Sequence, residues 1–291
     1  MKSLKWKVGD VTITKLQEIV YPEFSDVIPA ATPEVVKQVK WLFPHFVTEE
    51  GHLSLSIHSL IVDTPSAKLV VDTCIGNDRD RDPFEVMHML STGYLEDMQA
   101  AGYQPEGIDF VLCTHLHLDH VGWNTRKVNG KWVPTFPNAS YLWGKADMEF
   151  WGSIDPGTDL DFLQIQRRVW DDSIQPILDA DLAKPVDGPG QVCEGVRLVP
   201  TPGHTPGHCS VLIESKGESA LITGDFIHHP IQFWDPALVS PFDIDNDMAV
   251  ATRRRVFGEY ADTPTLIIGT HFAGPTAGRL VRDGDTYRLD V

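Results

Sequence analysis

Short apolar runs recur along the chain, and several of them end on polar clusters. VTITKLQEI, SLSIHSLIVDT and AKLVVDT read as strands, the last two joined by the turn signal Thr64-Pro65-Ser66. Between Pro83 and Ala101 the apolar residues Phe84, Met87, Leu90, Leu95, Met98 and Ala101 recur at roughly helical spacing, which predicts a helix stopped by Gly102. IDFVLCT is a buried strand, ASYLWG another, and about Thr158 to Leu178 reads as helical. VRLVPTPG, CSVLIES and SALITGD follow as three strands, AVATRRRVFGEYA as a helix and TLIIGTH as a final strand. The pattern is that of a mixed α/β chain, and strand ends of such chains are where sites are built.

The sharpest polar cluster follows IDFVLCT: Thr114-His-Leu-His-Leu-Asp-His120 puts three histidines and an aspartate in seven residues. Residues two apart in an extended segment project to one side, so His115 and His117 can grip one ion. Asp119 and His120 come as the chain turns, and this suggests a second ion beside the first. Further donors sit at other strand ends: His204 after VRLVP, Asp225 after SALI and His271 after TLII. Taken singly, each has an ordinary alternative as a cap or a hydrogen-bonded loop histidine. Four strand ends supplying ligand-type residues together point to metal.

Composition narrows the partners. Of 291 residues, 41 are acidic and 24 are Lys or Arg, for a net charge of −17, and the only basic run is Arg253-Arg254-Arg255. Nucleic acid and anionic membranes are therefore poor partners. No stretch is long and apolar enough to span a bilayer, and MKSLKWKVGDVTITKL lacks the pattern of a secretory signal. Cys74, Cys113, Cys193 and Cys209 form no CxxC pair, so the expectation is free thiols in a reducing cytoplasm.

THLHLDH, GHTPGH, the Asp of LITGD and the His of IIGTH, in this order, resemble the metal-binding motifs of the metallo-β-lactamase superfamily, from VVDT through His271. The resemblance implies an α/β fold, the αβ/βα four-layer sandwich with two central mixed β-sheets, as a single domain over residues 1–291. It implies two divalent metal ions, zinc first, with manganese, iron or cobalt as alternatives. By the family's scheme His115, His117 and His204 hold one ion, Asp119, His120 and His271 the other, and Asp225 bridges both. Asp72 supports the ligand loop, and Cys74 stands where a glycine is more usual. Water held between such ions becomes a nucleophile near neutral pH, and Asp119 is placed to move its proton.

Within the superfamily, AAGYQPEGIDFVLCTHLHLDHVG and the run from Ile231 to Phe257 resemble the methyl parathion hydrolase branch and its lactonase and arylesterase relatives. The implied activity is hydrolysis of lactones or aryl esters by a metal-bridging hydroxide, extending to organophosphate triesters. Glyoxalase-type thioesterase and weak β-lactamase are alternatives, and a non-catalytic metal-binding sensor is an alternative of another class. His228 stands where N-acyl homoserine lactone lactonases have a tyrosine. It either hydrogen-bonds the substrate oxygen or leaving group, or only supports the loop, whereas His229 and His208 read as structural. Phe24, Trp41, Phe43, Phe46, Trp123, Phe150, Trp151, Phe233 and Trp234 could wall an apolar pocket or serve as core. The proline-rich segment 20–48 reads as a flap over the site or as the arm of a homodimer.

Overall fold

A computed structural model describes residues 4–155, 157, 158 and 161–291. The chain forms two compact units, each discontinuous in sequence: residues 1–18 with 57–188, and 19–56 with 189–291.

The first unit is built on a six-stranded mixed sheet. Its strands are β1 (Lys5–Val8), β2 (Val11–Tyr21), β3 (Leu55–Asp63), β4 (Lys68–Val71), β5 (Phe110–Leu112) and, after the separate hairpin β6 (Thr125–Val128) and β7 (Lys131–Pro134), β8 (Ser140–Leu142). The order is β1-β2-β3-β4-β5-β8. β4, β5 and β8 run parallel, with Val70 opposite Val111 and Val111 opposite Tyr141. Their near-continuous apolar sequences suit strands covered on both faces. Parallel strands end at one edge, so the segments after Val71, Leu112 and Leu142 emerge side by side. Tyr94 stacks on Trp123, in the segment after Leu112, at 5.1 Å between ring centroids.

The helix expected over Pro83–Ala101 is a correction. A 3-10 turn covers Glu85–Met87, and the α-helix is confined to Tyr94–Ala100. Met89 takes a left-handed backbone, φ 51°, that breaks any helix. The Asn77 side chain then accepts from Thr92 N–H and donates to Thr92 C=O, holding the chain open just before Gly93. Gly102 ends the helix as expected, at φ 97°. The second expected helix starts at Asp161, passes through a π turn at Trp170–Ile174 and ends at Asp179; residues 159 and 160 lie outside the described residues.

The second unit carries a seven-stranded sheet: β9 (Gly190–Cys193), β10 (Val196–Pro200), β11 (Cys209–Ser215), β12 (Glu218–Ile222), β13 (Leu266–Ile268), β14 (Ala277–Asp283) and β15 (Thr286–Asp290), neighbours in sequence throughout. β12 and β13 pair in parallel, Leu221 against Ile267, while β10-β11 and β11-β12 are antiparallel. Two reversals make β10 parallel in direction to β12. The C-terminal ends of β10, β12 and β13 therefore share an edge, and these are the strands that precede His204, Asp225 and His271. The helix Asn246–Tyr260 is capped by Asp245, whose Oδ1 accepts from Met248 N–H at 2.9 Å.

Segment 20–48 contributes to the core of this unit. Val27, Ile28, Val36, Val39, Leu42 and Phe46 are buried in it, and Phe46 meets Phe272 edge to face at 6.3 Å. Phe43, 55% exposed, points outward. Among the described residues no helix is long and apolar enough to cross a membrane.

Candidate metal centre

In the first unit the ligand-type residues lie on the loop after β5. His115, His117 and His120 are buried, and Asp119 is partly exposed, its side chain at 18%. The His115 ring lies 4.6 Å from that of His117 and 4.0 Å from that of His120. Neighbouring elements fix the loop. Leu116 N–H donates to Asp147 Oδ2 at 3.1 Å, and Gln166 Nε2 donates to Leu116 C=O at 3.0 Å. Trp151 and Phe162 pack edgewise on the His117 ring at 5.1 and 5.4 Å. At Gly122 an added Cβ would lie 1.8 Å from Ile75 O, so only glycine lets the loop close against residues 74–76.

Asp72, at the end of β4, organises this cluster. Its Oδ1 accepts from Thr114 N–H at 2.7 Å, and its Oδ2 accepts from Thr114 Oγ1–H at 2.9 Å and His120 Nδ1–H at 2.9 Å. Because the Thr114 hydroxyl proton goes to Asp72, its oxygen is left to accept from His115 Nδ1 at 3.1 Å. One buried carboxylate thus sets the tautomer of two imidazoles. The support role implied for Asp72 has this concrete form. Cys74 takes φ 53°, the left-handed region that favours glycine, with its Sγ 3.2 Å from Ser59 Oγ.

In the second unit the donors gather around one carboxylate oxygen. Nε2 of His271, His228 and His204 stands 3.1, 3.5 and 3.7 Å from Asp225 Oδ2. Asp225 lies in the sparsely populated bridge region, φ −95° and ψ 17°, after Gly224 at φ 62°. It is held there by Thr270 Oγ1–H to its Oδ1 at 3.0 Å and by its own N–H to His208 Nε2 at 2.7 Å. His208 is accordingly structural, its Nδ1 paired with Thr201 Oγ1 at 2.8 Å. Nδ1 of His271 lies 3.3 Å from Ser56 C=O, and that of His204 donates to Asp243 Oδ1 at 2.9 Å.

The two histidines after Asp225 differ. His229 Nε2–H donates to Phe46 C=O at 2.8 Å, and its Nδ1 accepts from Ile231 N–H at 3.1 Å, so the ring ties segment 20–48 to the loop. Burial lowers its pKa to about 4. His228 has its backbone N–H on Gln232 Oε1, while its buried Nδ1 has no hydrogen-bond partner among the described residues. Burial, partly opposed by the charge of Asp225, lowers its pKa to about 3, leaving the ring neutral at pH 7.

The donor set fits a metal. On His115, His120 and His204 the group at Nδ1 is an acceptor, which puts the proton there and leaves an electron pair on Nε2. For His204 that pair faces the anionic Asp225 Oδ2 at 3.7 Å, while His271 Nε2 lies within hydrogen-bonding distance of the same oxygen, at 3.1 Å. An electron pair against a carboxylate is repulsive unless a cation lies between them, and imidazole with carboxylate is the donor chemistry of zinc, iron and manganese. Sequence reasoning missed Asp243, the partner of His204. It sits in FDID, where Asp245 two residues on caps a helix, and nothing local distinguishes the two.

Comparison with known proteins agrees with this chemistry. The family model of the metallo-beta-lactamase superfamily matches residues 54–271. A probable metallo-hydrolase of Mycobacterium tuberculosis is 28% identical over 195 residues, 61% of this chain and 58% of that protein. An N-acyl homoserine lactonase of Bacillus cereus is 29% identical over 160 residues, 55% of this chain and 54% of that one. The chain thus spans little more than half the length of the curated relatives it matches. Among solved structures, a hydrolase of the beta lactamase superfamily, AbOPH, superposes with a TM-score of 0.80 at 26% identity, over 99% of this chain and 97% of that one. AidC, a dizinc quorum-quenching lactonase, shares the fold with a TM-score of 0.80 at 24% identity over 99% and 96%. With the family model covering residues 54–271 and both mixed sheets in place, the chain belongs to the metallo-beta-lactamase superfamily.

Proposed function

We propose that this protein is a dinuclear metal hydrolase acting on lactones and aryl esters, with organophosphate triesters as secondary substrates. In this reading His115, His117 and His204 would hold one divalent ion, Asp119, His120 and His271 would hold a second, and Asp225 would serve both. Zinc suits the donors best, and it is the metal of AidC, the dizinc lactonase whose fold this chain shares. The observation that carries the proposal is the pair His120 and His204, whose Nδ1 protons are committed to Asp72 and Asp243 while Nε2 faces a second carboxylate at 3.7 Å. The relatedness to N-acyl homoserine lactonases supports lactones as the substrate class.

Bound ions would supply an acidified water and polarise the carbonyl under attack. The chain supplies the rest. Asp72 and Asp243 hold the imidazoles in the coordinating tautomer, so no ring has to reorganise during turnover. Asp119, the partly exposed acid of the cluster, takes the proton from the attacking water and delivers it toward the leaving oxygen. His228, neutral because it is buried, acts as a hydrogen-bond donor to the carbonyl or leaving-group oxygen rather than as a cation. In this reading residues 1–291 count as a single domain. A homodimer formed through the outer face of segment 20–48, where Phe43 is exposed, and a reducing cytoplasm matching four free thiols complete the proposal.

The test is kcat/KM of the metal-loaded protein, beside a chelated control, for dihydrocoumarin, an aryl ester, an N-acyl homoserine lactone, an aryl phosphotriester, a glutathione thioester and a penicillin. A lactone or aryl ester should lead, and chelation should abolish its turnover. A leading thioester or penicillin would overturn the substrate class, and absence of any turnover would overturn the hydrolase.

A further inference from the structure

The loop between Asp225 and the helix Asn246–Tyr260 carries a chain of buried polar contacts that the scheme above leaves unused. His204 Nδ1–H donates to Asp243 Oδ1 at 2.9 Å, and both side chains are essentially inaccessible to water. The other oxygen, Asp243 Oδ2, accepts from Ser240 N–H at 3.1 Å and stands 3.6 Å from Arg253 Nη1. Arg253 is the first of the three arginines in the helix and is fully buried. Its Nε donates to Pro236 C=O at 2.9 Å and its Nη1 to Phe226 C=O at 3.2 Å, the residue next to Asp225. The helix is anchored to the His204 loop a second time: Ile244 N–H donates to His204 C=O at 3.0 Å and Asp245 N–H to Gly203 C=O at 2.9 Å. Gly203, at φ 130°, allows this, because a Cβ there would fall 2.3 Å from Ala249 N.

A buried carboxylate costs several kcal/mol to desolvate unless it is paired, and the partner of Asp243 is a second buried group, the Arg253 guanidinium at 3.6 Å. Such an arrangement is heavy equipment for holding one loop, which the two backbone bonds already do. We propose that Asp243, paired with Arg253, is a positioning residue for His204: it fixes the Nδ1–H tautomer and raises the basicity of Nε2 toward the ion that His204 would hold. The inference rests on the dinuclear reading above. It further assigns unequal roles, since the group at His271 Nδ1 is a neutral carbonyl, Ser56 C=O at 3.3 Å. The ion at His204 therefore depends on a carboxylate partner in the second unit, as the ion at His120 depends on Asp72 in the first.

Asp243→Asn tests this with little change in volume, and Asp243→Ala extends it. Cobalt(II) is the probe, titrated into apo-protein and followed by its visible absorption and by competition with a chelator. Wild type should take two equivalents. Asp243→Asn should hold one as wild type does and bind the other about 10–100-fold more weakly, the usual effect of removing such a partner. His204→Ala should lose the same equivalent, and His204→Ala with Asp243→Asn should be no worse than His204→Ala alone, because Asp243 acts through that ring. A double variant that loses further affinity, or an Asp243→Asn protein that keeps both equivalents at wild-type strength, would overturn the inference and leave the dinuclear reading standing. Wild type that takes no cobalt would overturn both. Circular dichroism of each apo-variant shows whether the fold is retained, and Asp243→Asn carries the test if Asp243→Ala does not fold.

Discussion

Replacing Asp72 by Asn is the most discriminating perturbation of the first unit. The amide keeps an acceptor for Thr114 N–H, now 2.7 Å from Oδ1, but turns an NH2 toward Thr114 Oγ1 and His120 Nδ1, both at 2.9 Å. Two donors then face each other at His120. The ring relieves this by moving its proton to Nε2, which removes the electron pair a metal needs. The loss of one charged hydrogen bond should cost the apo-protein about 1–3 kcal/mol. Metal affinity should fall about 10–100-fold, or roughly 1.4–2.7 kcal/mol. At saturating metal that difference subtracts directly from ligand stabilisation. The rise in Tm on adding zinc should therefore shrink by several degrees, at roughly 2–4 °C per kcal/mol for a chain of this size. Melting curves of wild type and Asp72→Asn, each with chelator and with zinc, give the two effects separately. A variant whose Tm drops equally in both conditions, with the zinc-induced rise intact, would show that Asp72 only holds the loop and would refute the tautomer argument.

Two further outcomes follow from the histidines after Asp225. His228→Ala should lower kcat about 10–100-fold with little change in metal content, and an unchanged rate would leave His228 a supporting residue. His229→Gln should leave metal content unchanged but destabilise the fold by about 1–3 kcal/mol through the backbone groups it satisfies, measured by denaturant unfolding. His229 also sets a pH dependence. Its folded pKa, about 4, lies below the unfolded value near 6.5, so the unfolded state binds more protons between them. Its contribution is fully present above about pH 6.5 and is lost as pH falls toward 4, so the stability gap between wild type and His229→Gln should narrow over that window.

The strand pattern was legible because a buried parallel strand has little choice of composition: IDFVLCT, SALI and TLII are apolar on both faces, and their ends carry the donors. THLHLDH was legible because metal ligands on one loop must be close in sequence. The strands β1, β6, β7, β9, β14 and β15 do not stand out in the pattern, so TLIIGTH, expected as the final strand, is followed by two more, although Asn129-Gly130, at φ 51° and 77°, is a hairpin signal between β6 and β7. The helix assigned over Pro83–Ala101 failed because apolar spacing says nothing of Asn77, fifteen residues away from Thr92, whose side chain holds that stretch open.

By itself, then, the sequence determined which residues can bind metal and which strands deliver them, since donor chemistry and burial are written in residue type and period. Only the tertiary structure decided how each imidazole is aimed. Asp72 reaches His120 across 48 positions, Asp243 reaches His204 across 39, and Ser56 C=O reaches His271 across 215. A tautomer is set by one hydrogen-bond partner within about 3.5 Å, and such a partner is chosen by where the strands end in space.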